Sequence, residues 1–384
     1  MIAYDLRYAC DHFVGIATYA YDVLDALLQV PGDQHYAVLW DPRQPHTRFD
    51  FSRLRSHPLV TWTERPYAPL SPLSLAQVGV WLRSLAPAVY FSPFHLLPFR
   101  PDCPCVVTVH DVRSLRFATE LSPWRRVPYR WSLVRATRAR LLVTDSDFSR
   151  REVTELLPVD SARVRTVYPG VHSGLGRAAP RRPTGLPEGG FALVVGDNRP
   201  HKNLVVLAEA WARLGVDAPL QLVSAGPAHP RHPDLAALAR AAGACAVCLG
   251  RVPEAELVWL YRNATLVLFP SVYEGFGLPL VEAFAHGVPA VVSDIQVFRE
   301  IGAGAACFVA PDSAETWAGE VRRLAGDREA RARLGAAGRA RAAEMTCDRT
   351  AKGVLALLRE AAAGGARDRG LSGAYGRSVH VTTG

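Results

Sequence analysis

The chain has 384 residues, of which 49% are hydrophobic and 21% are charged, and this composition is typical of a globular protein rather than a disordered or fibrous one. No apolar run approaches the roughly 18–20 residues that a membrane-spanning helix requires. The amino terminus lacks the cationic start and apolar stretch of a secretory signal. The net charge of +8 favours anionic partners, and seven cysteines without framework spacing predict reduced thiols in a cytosol.

Short apolar runs alternate with helical-period segments along the first half of the chain. Strands are predicted at 36–40, 88–92, 105–111, 140–146 and 164–170. Helices are predicted between them, near 16–28, 73–85, 123–138 and 148–157. Because the strands are continuously apolar, the pattern indicates parallel sheets that are covered by helices on both faces.

The second half repeats this pattern more clearly. Strands are predicted at 191–196, 218–226, 245–250, 264–270 and 287–294, each followed by a helical pattern. Between the halves, residues 173–190 are rich in Gly and Pro and have no periodicity, as in a linker. The sequence therefore predicts an α/β protein with two doubly wound, Rossmann-like domains.

The expected domain limits follow from these patterns. They are a first domain at 1–175, a linker at 176–190, a second domain at 191–345, a helix at 346–363 that packs back toward the first domain, and a disordered tail at 364–384. Ligands of such sheets bind outside the carboxyl ends of the strands. With two domains, a cleft between them is the expected site.

Two carboxylates flank a glycine turn in the segment 270–290. Glu274 lies in the loop after a strand, and Glu282 lies in the following helix, which has Pro279 near its start and Gly287 at its end. A buried carboxylate needs a partner. The adjacent hydroxyls of a ribose suit Glu282, while Glu274 reaches the transferred group and the loop amides bind phosphate. The alternative is a salt bridge from Glu282 to a core arginine and a solvated Glu274.

The two glutamates, separated by seven residues around Gly-Phe-Gly-Leu-Pro, resemble the signature of the family 4 retaining glycosyltransferases, which have the GT-B fold. Segments that resemble other landmarks of this family follow in order at 108–111, 145–153, 166–173, 196–204, 260–271 and 293–301. The resemblance covers roughly 1–363, and it implies that the first domain is on the acceptor side and that the second domain binds the nucleotide sugar. It implies that the donor is bound by Glu282 and by the loop residues Gly275, Phe276, Gly277 and Leu278, and that Glu274 orients the sugar and the diphosphate.

The resemblance also implies a cationic loop after the strand at 191–196. This loop begins with Gly196 and carries Arg199 and Lys202, which would stabilise the negative charge that grows on the leaving nucleoside diphosphate. The alternative is a solvated start of a helix that Asn203 caps.

Two residues of the first half are implied by the resemblance as well. His110 would contact the donor sugar through its backbone carbonyl and its ring, although a lone histidine is more often structural. Gly15 resembles the first glycine-rich loop of the family, which packs against the donor phosphates. Relatives usually carry Gly-Ile-Gly-Arg there, whereas this chain has Gly-Ile-Ala-Thr from Gly15 onward. Without the second glycine and the arginine, binding of the donor phosphates would depend more on the cationic loop.

Three other patterns are interpreted as structural. Asp145 and Asp147 have the spacing of a metal-binding motif but precede a helix, where they suit a cap. Cys245 and Cys248 lack a second pair of zinc ligands. The segment 302–307 lacks the final glycine of a dinucleotide-binding motif. The family resemblance implies no catalytic metal, and no cofactor is expected.

Residues 113–140 contain eight arginines against the single acid Glu120. The interleaved aromatic residues are Phe117, Trp124, Tyr129 and Trp131. Such a segment suits an anionic membrane surface, where lipid-linked acceptors reside. The alternative is a solvated helix whose aromatic residues face the core. Because the basic residues match no recognised nucleic-acid-reading module, no nucleic-acid partner is expected.

The resemblance implies a metal-independent, retaining hexosyltransferase of polysaccharide biosynthesis. Its donor would be a nucleoside-diphosphate sugar, with a lean toward mannose, and its acceptor a hydroxyl of a saccharide or a lipid-linked precursor. We expect a cytoplasmic protein that is peripheral on the inner face of the cell membrane. Two alternatives stay open: a sugar-nucleotide 2-epimerase of the same fold, and a sugar-nucleotide binding protein that has lost transfer.

Overall fold

The computed structural model describes residues 1–117, 123–171 and 179–375, so Glu120, the predicted boundary at 175 and the end of the predicted tail lie outside the described residues. The described chain forms two compact units. The first combines Met1–Asp145 and Ser149–Tyr168 with the described chain from Asp348 onward. The second consists of Ser146–Phe148 and Pro169–Cys347.

The first unit is built on a parallel sheet of seven strands. The strands are β1 (Ile2–Asp5), β2 (Tyr36–Trp40), β3 (Val60–Glu64), β4 (Val89–Ser92), β5 (Cys105–Thr108), β6 (Leu141–Thr144) and β7 (Val164–Thr166). The helices between them are α1 (Val14–Leu27), α2 (Ser52–Arg55), α3 (Pro72–Leu85), α4 (Arg113–Arg116), α5 (Pro123–Ala136) and α6 (Asp147–Leu156). The strand order is β3-β2-β1-β4-β5-β6-β7, with every pair parallel.

Helices cover both faces of this sheet, which is why its central strands are mostly apolar. On one face, Tyr90 packs in a core cluster with Trp81 of α3. On the other face, the rings of Tyr4 and Phe91 lie 5.3 Å apart, and the Tyr4 hydroxyl donates to the Ala20 carbonyl of α1 at 2.7 Å. The buried hydroxyl thus has a hydrogen-bond partner.

The second unit is also built on a parallel sheet, which has six strands. They are β8 (Phe191–Val195), β9 (Gln221–Ala225), β10 (Val247–Cys248), β11 (Leu266–Phe269), β12 (Ala290–Ser293) and β13 (Ala306–Val309). The helices are α7 (Leu204–Leu214), α8 (Leu235–Ala241), α9 (Glu254–Asn263), α10 (Leu278–His286), α11 (Gln296–Gly302), α12 (Ala314–Gly326) and α13 (Arg328–Ala342). All pairs are parallel in the order β10-β9-β8-β11-β12-β13.

The strand order of each sheet reverses direction once. In the second unit this point lies between β8 and β11, and in the first between β1 and β4. Loops that leave neighbouring strands at such a point run to opposite faces and open a crevice at the carboxyl ends of the strands. The two loops that carry the predicted cations and Glu274 follow β8 and β11. The topology therefore brings these loops together.

The predicted strands are confirmed, and β1, β3 and β13 are additional. The segment 302–307, which has a superficial likeness to a dinucleotide-binding motif, forms the turn from α11 into β13. Within the described ranges, no helix is long and apolar enough to cross a bilayer.

The last helix, α14 (Cys347–Tyr375), belongs to the first unit, where the Thr350 hydroxyl donates to the Tyr168 carbonyl at 2.8 Å. It continues past Gly364, where the sequence predicts a disordered tail. A β-carbon at Gly364 would meet the Arg140 side chain, and one at Gly365 would meet Pro104. These glycines therefore permit close packing, whereas in the sequence they resemble helix breakers.

Candidate functional site

The loops after β8 and β11 are joined by a charged pair. The Lys202 ammonium group donates to Oε1 of Glu274 at 2.6 Å, and the Ser271 hydroxyl donates to the same oxygen at 2.7 Å. Both charged side chains are mostly buried, with exposed fractions of 21% for Lys202 and 13% for Glu274. Charge-assisted hydrogen bonds of this length are strong and directional. The structure thus brings Lys202 and Glu274 together, 72 positions apart in the chain.

The backbone holds this pair in place. The amide of Val272 donates to the carbonyl of the buried His201 at 2.8 Å, which connects the two loops directly. Gly196 has a φ of +141° and lies under the Lys202 side chain. A β-carbon there would be 3.7 Å from Cε of Lys202, so strain rather than space favours glycine at this position.

Arg199 lies apart from the charged pair. Its guanidinium bonds the Asp197 carboxylate at 3.1 Å, and its side chain is 45% exposed. Arg199 and Lys202, which are predicted to act together, therefore have different partners. Lys202 bonds Glu274, whereas Arg199 bonds Asp197 of its own loop. Asn203, the alternative cap, precedes α7 but donates its side-chain amide to the Pro311 carbonyl at 2.7 Å.

Glu282 lies inside α10 and is 9% exposed. Its Oε2 accepts a hydrogen bond of 2.8 Å from the Tyr261 hydroxyl of α9. Burial and the negative charge of Glu282 raise the pKa of Tyr261 well above its ordinary value, so the hydroxyl stays protonated and donates. The Tyr261 ring also stacks on His286, at 5.3 Å between ring centroids. The partner that this buried carboxylate needed is thus a tyrosine hydroxyl.

Gly277 shapes the start of α10. It has a φ of +96°, and a β-carbon there would lie 2.9 Å from the Phe298 ring, so only glycine fits. The side chain of Phe276 is buried, while the Gly275 carbonyl accepts a hydrogen bond from Ser146 at 2.6 Å. Because α10 begins at Leu278, its first-turn amides point toward the loop, as in helix starts that bind anions.

His110 follows β5 in the first unit and has both ring nitrogens engaged. Nδ1 lies 2.6 Å from Oδ2 of Asp145, and Nε2 lies 2.8 Å from the Pro93 carbonyl, which can only accept. Its own carbonyl accepts a hydrogen bond from Ser149 at 3.0 Å. Burial opposes a charged ring, but the Asp145 carboxylate outweighs it and raises the pKa of His110. A ring nitrogen of His110 can therefore bind a ligand only if one of these two hydrogen bonds breaks.

Gly15 lies in the first turn of α1, where a β-carbon would meet open space. Arg48 occupies the same turn, with hydrogen bonds to the Val14 carbonyl at 3.0 Å and the Thr18 hydroxyl at 2.8 Å. A guanidinium is thus present at this helix start, although the chain has Thr18 where relatives usually carry arginine.

The cap predicted from Asp145 is wrong, because the Asp145 carboxylate bonds His110 instead of the amides at the start of α6. The amides of Asp147 and Phe148 donate to the Glu300 carboxylate at 2.7 and 2.8 Å, which satisfies the first turn of α6. Cys245 and Cys248 are free thiols. Among the described residues, no three His, Cys, Asp or Glu side chains form a group that could hold a metal ion.

The partners of the site residues were not identified from the sequence. They are Ser271, Tyr261, Asp145 and Arg48. Ser271 and Asp145 carry a usable signal in the sequence, because each lies in a loop that follows a strand.

Replacing Asp145 with Asn is expected to destabilise the protein by about 1–3 kcal/mol near pH 5.5 and by less near pH 8.5. A histidine whose pKa is raised by folding contributes stability below its ordinary pKa of about 6.5, and this contribution is lost as the pH rises through the raised value. Asp111, which also raises the pKa of His110, is retained in the variant. His95 does not titrate in this range, because burial and the charge of His110 lower its pKa to about 3.

Urea unfolding at the two pH values measures this difference. The exposed Asp312 on the second unit supplies the control, and Asp312→Asn should show no pH-dependent deficit. A deficit of equal size at both pH values for Asp145→Asn would show that the pair is not charged.

Comparison with solved structures defines the class of the fold. A sucrose-phosphate synthase from Thermosynechococcus elongatus superposes with a TM-score of 0.70 at 18% identity, over 94% of this chain and 99% of that chain. WaaG, a glycosyltransferase involved in lipopolysaccharide biosynthesis, gives 0.67 at 17% identity, over 93% and 99%. The predicted GT-B fold is thereby confirmed.

Comparison with family models and curated proteins identifies the family. The glycosyltransferase family 4 model matches residues 13–174, and the model for glycosyl transferases group 1 matches residues 178–341. D-inositol 3-phosphate glycosyltransferase of Kineococcus radiotolerans is 32% identical over 303 residues, which are 71% of this chain and 69% of that protein. The chain belongs to the family 4 glycosyltransferases, as the sequence resemblance implied.

A second curated relative is matched over a shorter part. O-antigen chain mannosyltransferase B of Escherichia coli is 30% identical over 249 residues, which are 61% of this chain. The match spans 64% of the length of that relative, just under two thirds.

Proposed function

We propose that this protein is a retaining hexosyltransferase that uses a nucleoside-diphosphate sugar. The observation that carries the proposal is the contact between Lys202 and Glu274 at the point where the strand order of the second sheet reverses. A cation and a carboxylate fixed at this position suit a ligand that combines a diphosphate with a hydroxyl-rich sugar. Family membership supports the same class of activity.

The second unit supplies the donor-binding residues in this proposal. Glu282 binds the ribose diol with its carboxylate, which the Tyr261 hydroxyl holds in place. The amides of the loop 275–278 and the start of α10 bind the phosphates. Glu274 orients the sugar and the diphosphate. Lys202 leaves the carboxylate far enough to stabilise charge on the departing diphosphate, and Arg199 joins it from the same loop.

Two residues of the first unit have roles in this proposal. His110 presents its backbone carbonyl to the sugar, since its ring is held by Asp145 and Pro93. Arg48 supplies the positive charge that the Gly15 loop lacks. Its guanidinium lies on the first turn of α1, where it can bind the donor phosphates.

The reaction proceeds with retention and without a metal ion in this proposal. The leaving phosphate helps to deprotonate the acceptor hydroxyl, which attacks from the same face of the sugar, and the cationic side chains carry the charge that a metal would otherwise neutralise. The test is the anomeric configuration of the product, measured by NMR on early product. Retention is expected, and inversion would overturn the proposal.

The donor sugar and acceptor are proposed from the relatives. Two of them are O-antigen chain mannosyltransferases, of Escherichia coli and Salmonella typhimurium, which favours mannose and a lipid-linked saccharide acceptor. A thermal-shift screen across nucleoside diphosphates and their sugars identifies the base and the sugar. Donor isomerisation without any acceptor would instead indicate an epimerase.

An exposed face of α5 supports peripheral binding to an anionic membrane. Val127, Trp131 and Val134 have the spacing of one helix face and are 74%, 47% and 38% exposed. On α3, Leu73 and Val80 are exposed as well, at 68% and 57%. The two helices share a neighbour in the 99–100 loop, because the Phe99 ring lies 5.9 Å from Trp131 and the backbone of Phe99 lies against Gly79. Three exposed apolar side chains on one face of α5 are typical of a surface that contacts a membrane or a partner.

Basic residues accompany this face, but fewer than the sequence suggests. Arg130 and Arg138 are exposed, whereas Arg116 is bound to Glu152 at 2.7 Å. Tyr129 packs toward the core, as the alternative of a solvated helix predicted for the aromatic residues, while Trp131 faces outward. The side chains of Trp124 and Arg125 lie outside the described residues.

Val127→Glu is expected to lower binding to phosphatidylglycerol vesicles at low salt by about tenfold, because a carboxylate enters an apolar and basic contact. Co-sedimentation measures the binding. Val216 on the second unit is fully exposed, so Val216→Glu is a matched control that should leave binding unchanged. Absence of vesicle binding by the unaltered protein at low salt would contradict the membrane proposal.

A further inference from the structure

A cavity of about 760 Å³ lies in the first unit where β5 and β6 begin. Its walls are the loop 97–105, the end of α5 and Gly365 of α14. We call it the basal pocket. His110 follows the opposite, carboxyl end of β5, roughly 16 Å away at about 3.3 Å per residue along the strand. The basal pocket is therefore separate from the residues to which the proposed transfer assigns roles.

The basal pocket is strongly basic. Four arginines line it, together with the acidic residue Asp102, and they are Arg100, Arg135, Arg138 and Arg140. The Arg135 guanidinium is fixed by hydrogen bonds to the carbonyls of Leu97 at 3.1 Å and Pro98 at 2.6 Å. Carbonyl groups orient a guanidinium but do not neutralise its charge.

The positive charges in the basal pocket oppose one another. Burial lowers the pKa of Arg135, and the charge of Arg138 lowers it further. Cys105 does not supply compensating charge, because its contact with Cys103 and its burial raise the pKa of its thiol well above the ordinary value. An anion in the pocket would relieve the repulsion between the guanidinium groups.

The pocket also has an apolar side. The Arg135 guanidinium lies 4.2 Å from the centre of the Phe99 ring, and Leu97 and Pro101 complete this wall. On its outer side Phe99 contacts the exposed Trp131. A ligand with a phosphate and an attached carbon chain would match the charges and this wall together.

We propose that the basal pocket binds a phosphate group, held by the guanidinium groups of Arg135 and Arg138. Arginine suits this role because its planar fork pairs with two phosphate oxygens at once. Free phosphate and the headgroup of an anionic lipid share this chemistry. The neighbouring apolar surface at Trp131 makes the lipid headgroup the source to test first.

The test uses the full chain and two probes, inorganic phosphate and water-soluble dihexanoyl phosphatidate, in calorimetric titrations at low salt. Arg138→Glu is the informative variant, because Arg138 is exposed and its replacement leaves the fixed Arg135 in place. Arg213→Glu, exposed on α7 of the second unit, is the matched control. We expect the affinity of the better probe to fall about tenfold or more in Arg138→Glu and to change less than about twofold in the control.

Lys202→Ala separates this proposal from the proposed function. This variant impairs the loops that bind the donor, yet its basal pocket should bind phosphate as in the unaltered protein. Bound phosphate should slow amide hydrogen exchange in the loop 97–105. Tighter binding of the phosphatidate identifies a lipid headgroup, and equal affinities identify free phosphate. The proposal is overturned if neither probe binds saturably, if Arg138→Glu binds as well as the control, or if protection is confined to the loops after β8 and β11.

Discussion

Glu274→Gln is expected to lower turnover by about a thousandfold while the dissociation constant of the nucleoside diphosphate changes less than about threefold. The carboxylate lies 2.6 Å from Lys202 and 2.7 Å from Ser271, so it fixes the cation as well as the sugar. Glutamine keeps the size and the contact to Ser271 but removes the charge. Without the carboxylate charge, Lys202 is no longer held at the position from which it moves to the departing diphosphate.

Initial rates with radiolabelled donor sugar measure the turnover. Calorimetric titration measures the dissociation constant of the nucleoside diphosphate. Glu315→Gln is a matched control, because Glu315 is exposed on α12 of the same unit. It should leave both quantities unchanged. If Glu274→Gln retained more than about a tenth of the turnover, the result would contradict the proposed role of Glu274 in the transition state.

Glu282→Ala is expected to weaken nucleoside diphosphate binding by about a hundredfold. A carboxylate that accepts two hydrogen bonds from a ribose diol is lost, and charge-assisted bonds are each worth about 1.5–3 kcal/mol. The buried Tyr261 hydroxyl also loses the acceptor that lies 2.8 Å away. Tyr261→Phe should cost less affinity, because the carboxylate remains present.

A comparison of ribose and 2′-deoxyribose ligands isolates the diol contact from general disruption. The unaltered protein should prefer the ribonucleotide by at least about tenfold, and Glu282→Ala should bind both ligands equally weakly. Calorimetry gives the four dissociation constants. An undiminished preference for ribose in Glu282→Ala would show that another group binds the diol.

Most of the fold could be predicted from periodicity, and the missed strands show its limits. β1 has only four residues and lies directly at the start of the chain, so no turn signal precedes it. β3 is at the edge of its sheet and alternates with polar residues, unlike the continuous apolar runs of central strands. The helix α14 was predicted too short because Gly364 and Gly365, which pack closely on the first unit, resemble a helix end in the sequence.

The candidate site could be predicted as a set of loops but not as a set of contacts. Glu274 and Lys202 were placed correctly at the ends of strands, since loops after parallel strands are visible in the sequence. That they bond each other, and that Arg199 bonds Asp197 instead, depends on loop geometry. The pairing of His110 with Asp145 likewise joins the ends of two neighbouring strands, which spacing alone does not specify.

The central claim is that the loops after β8 and β11 bind a nucleoside diphosphate. Amide hydrogen exchange, measured with and without the nucleoside diphosphate selected by the thermal-shift screen, tests it most directly. The account predicts slowed exchange at 196–204 and at 271–282, with the same pattern weakened in Glu282→Ala. Protection of other segments with none in these two loops would contradict it.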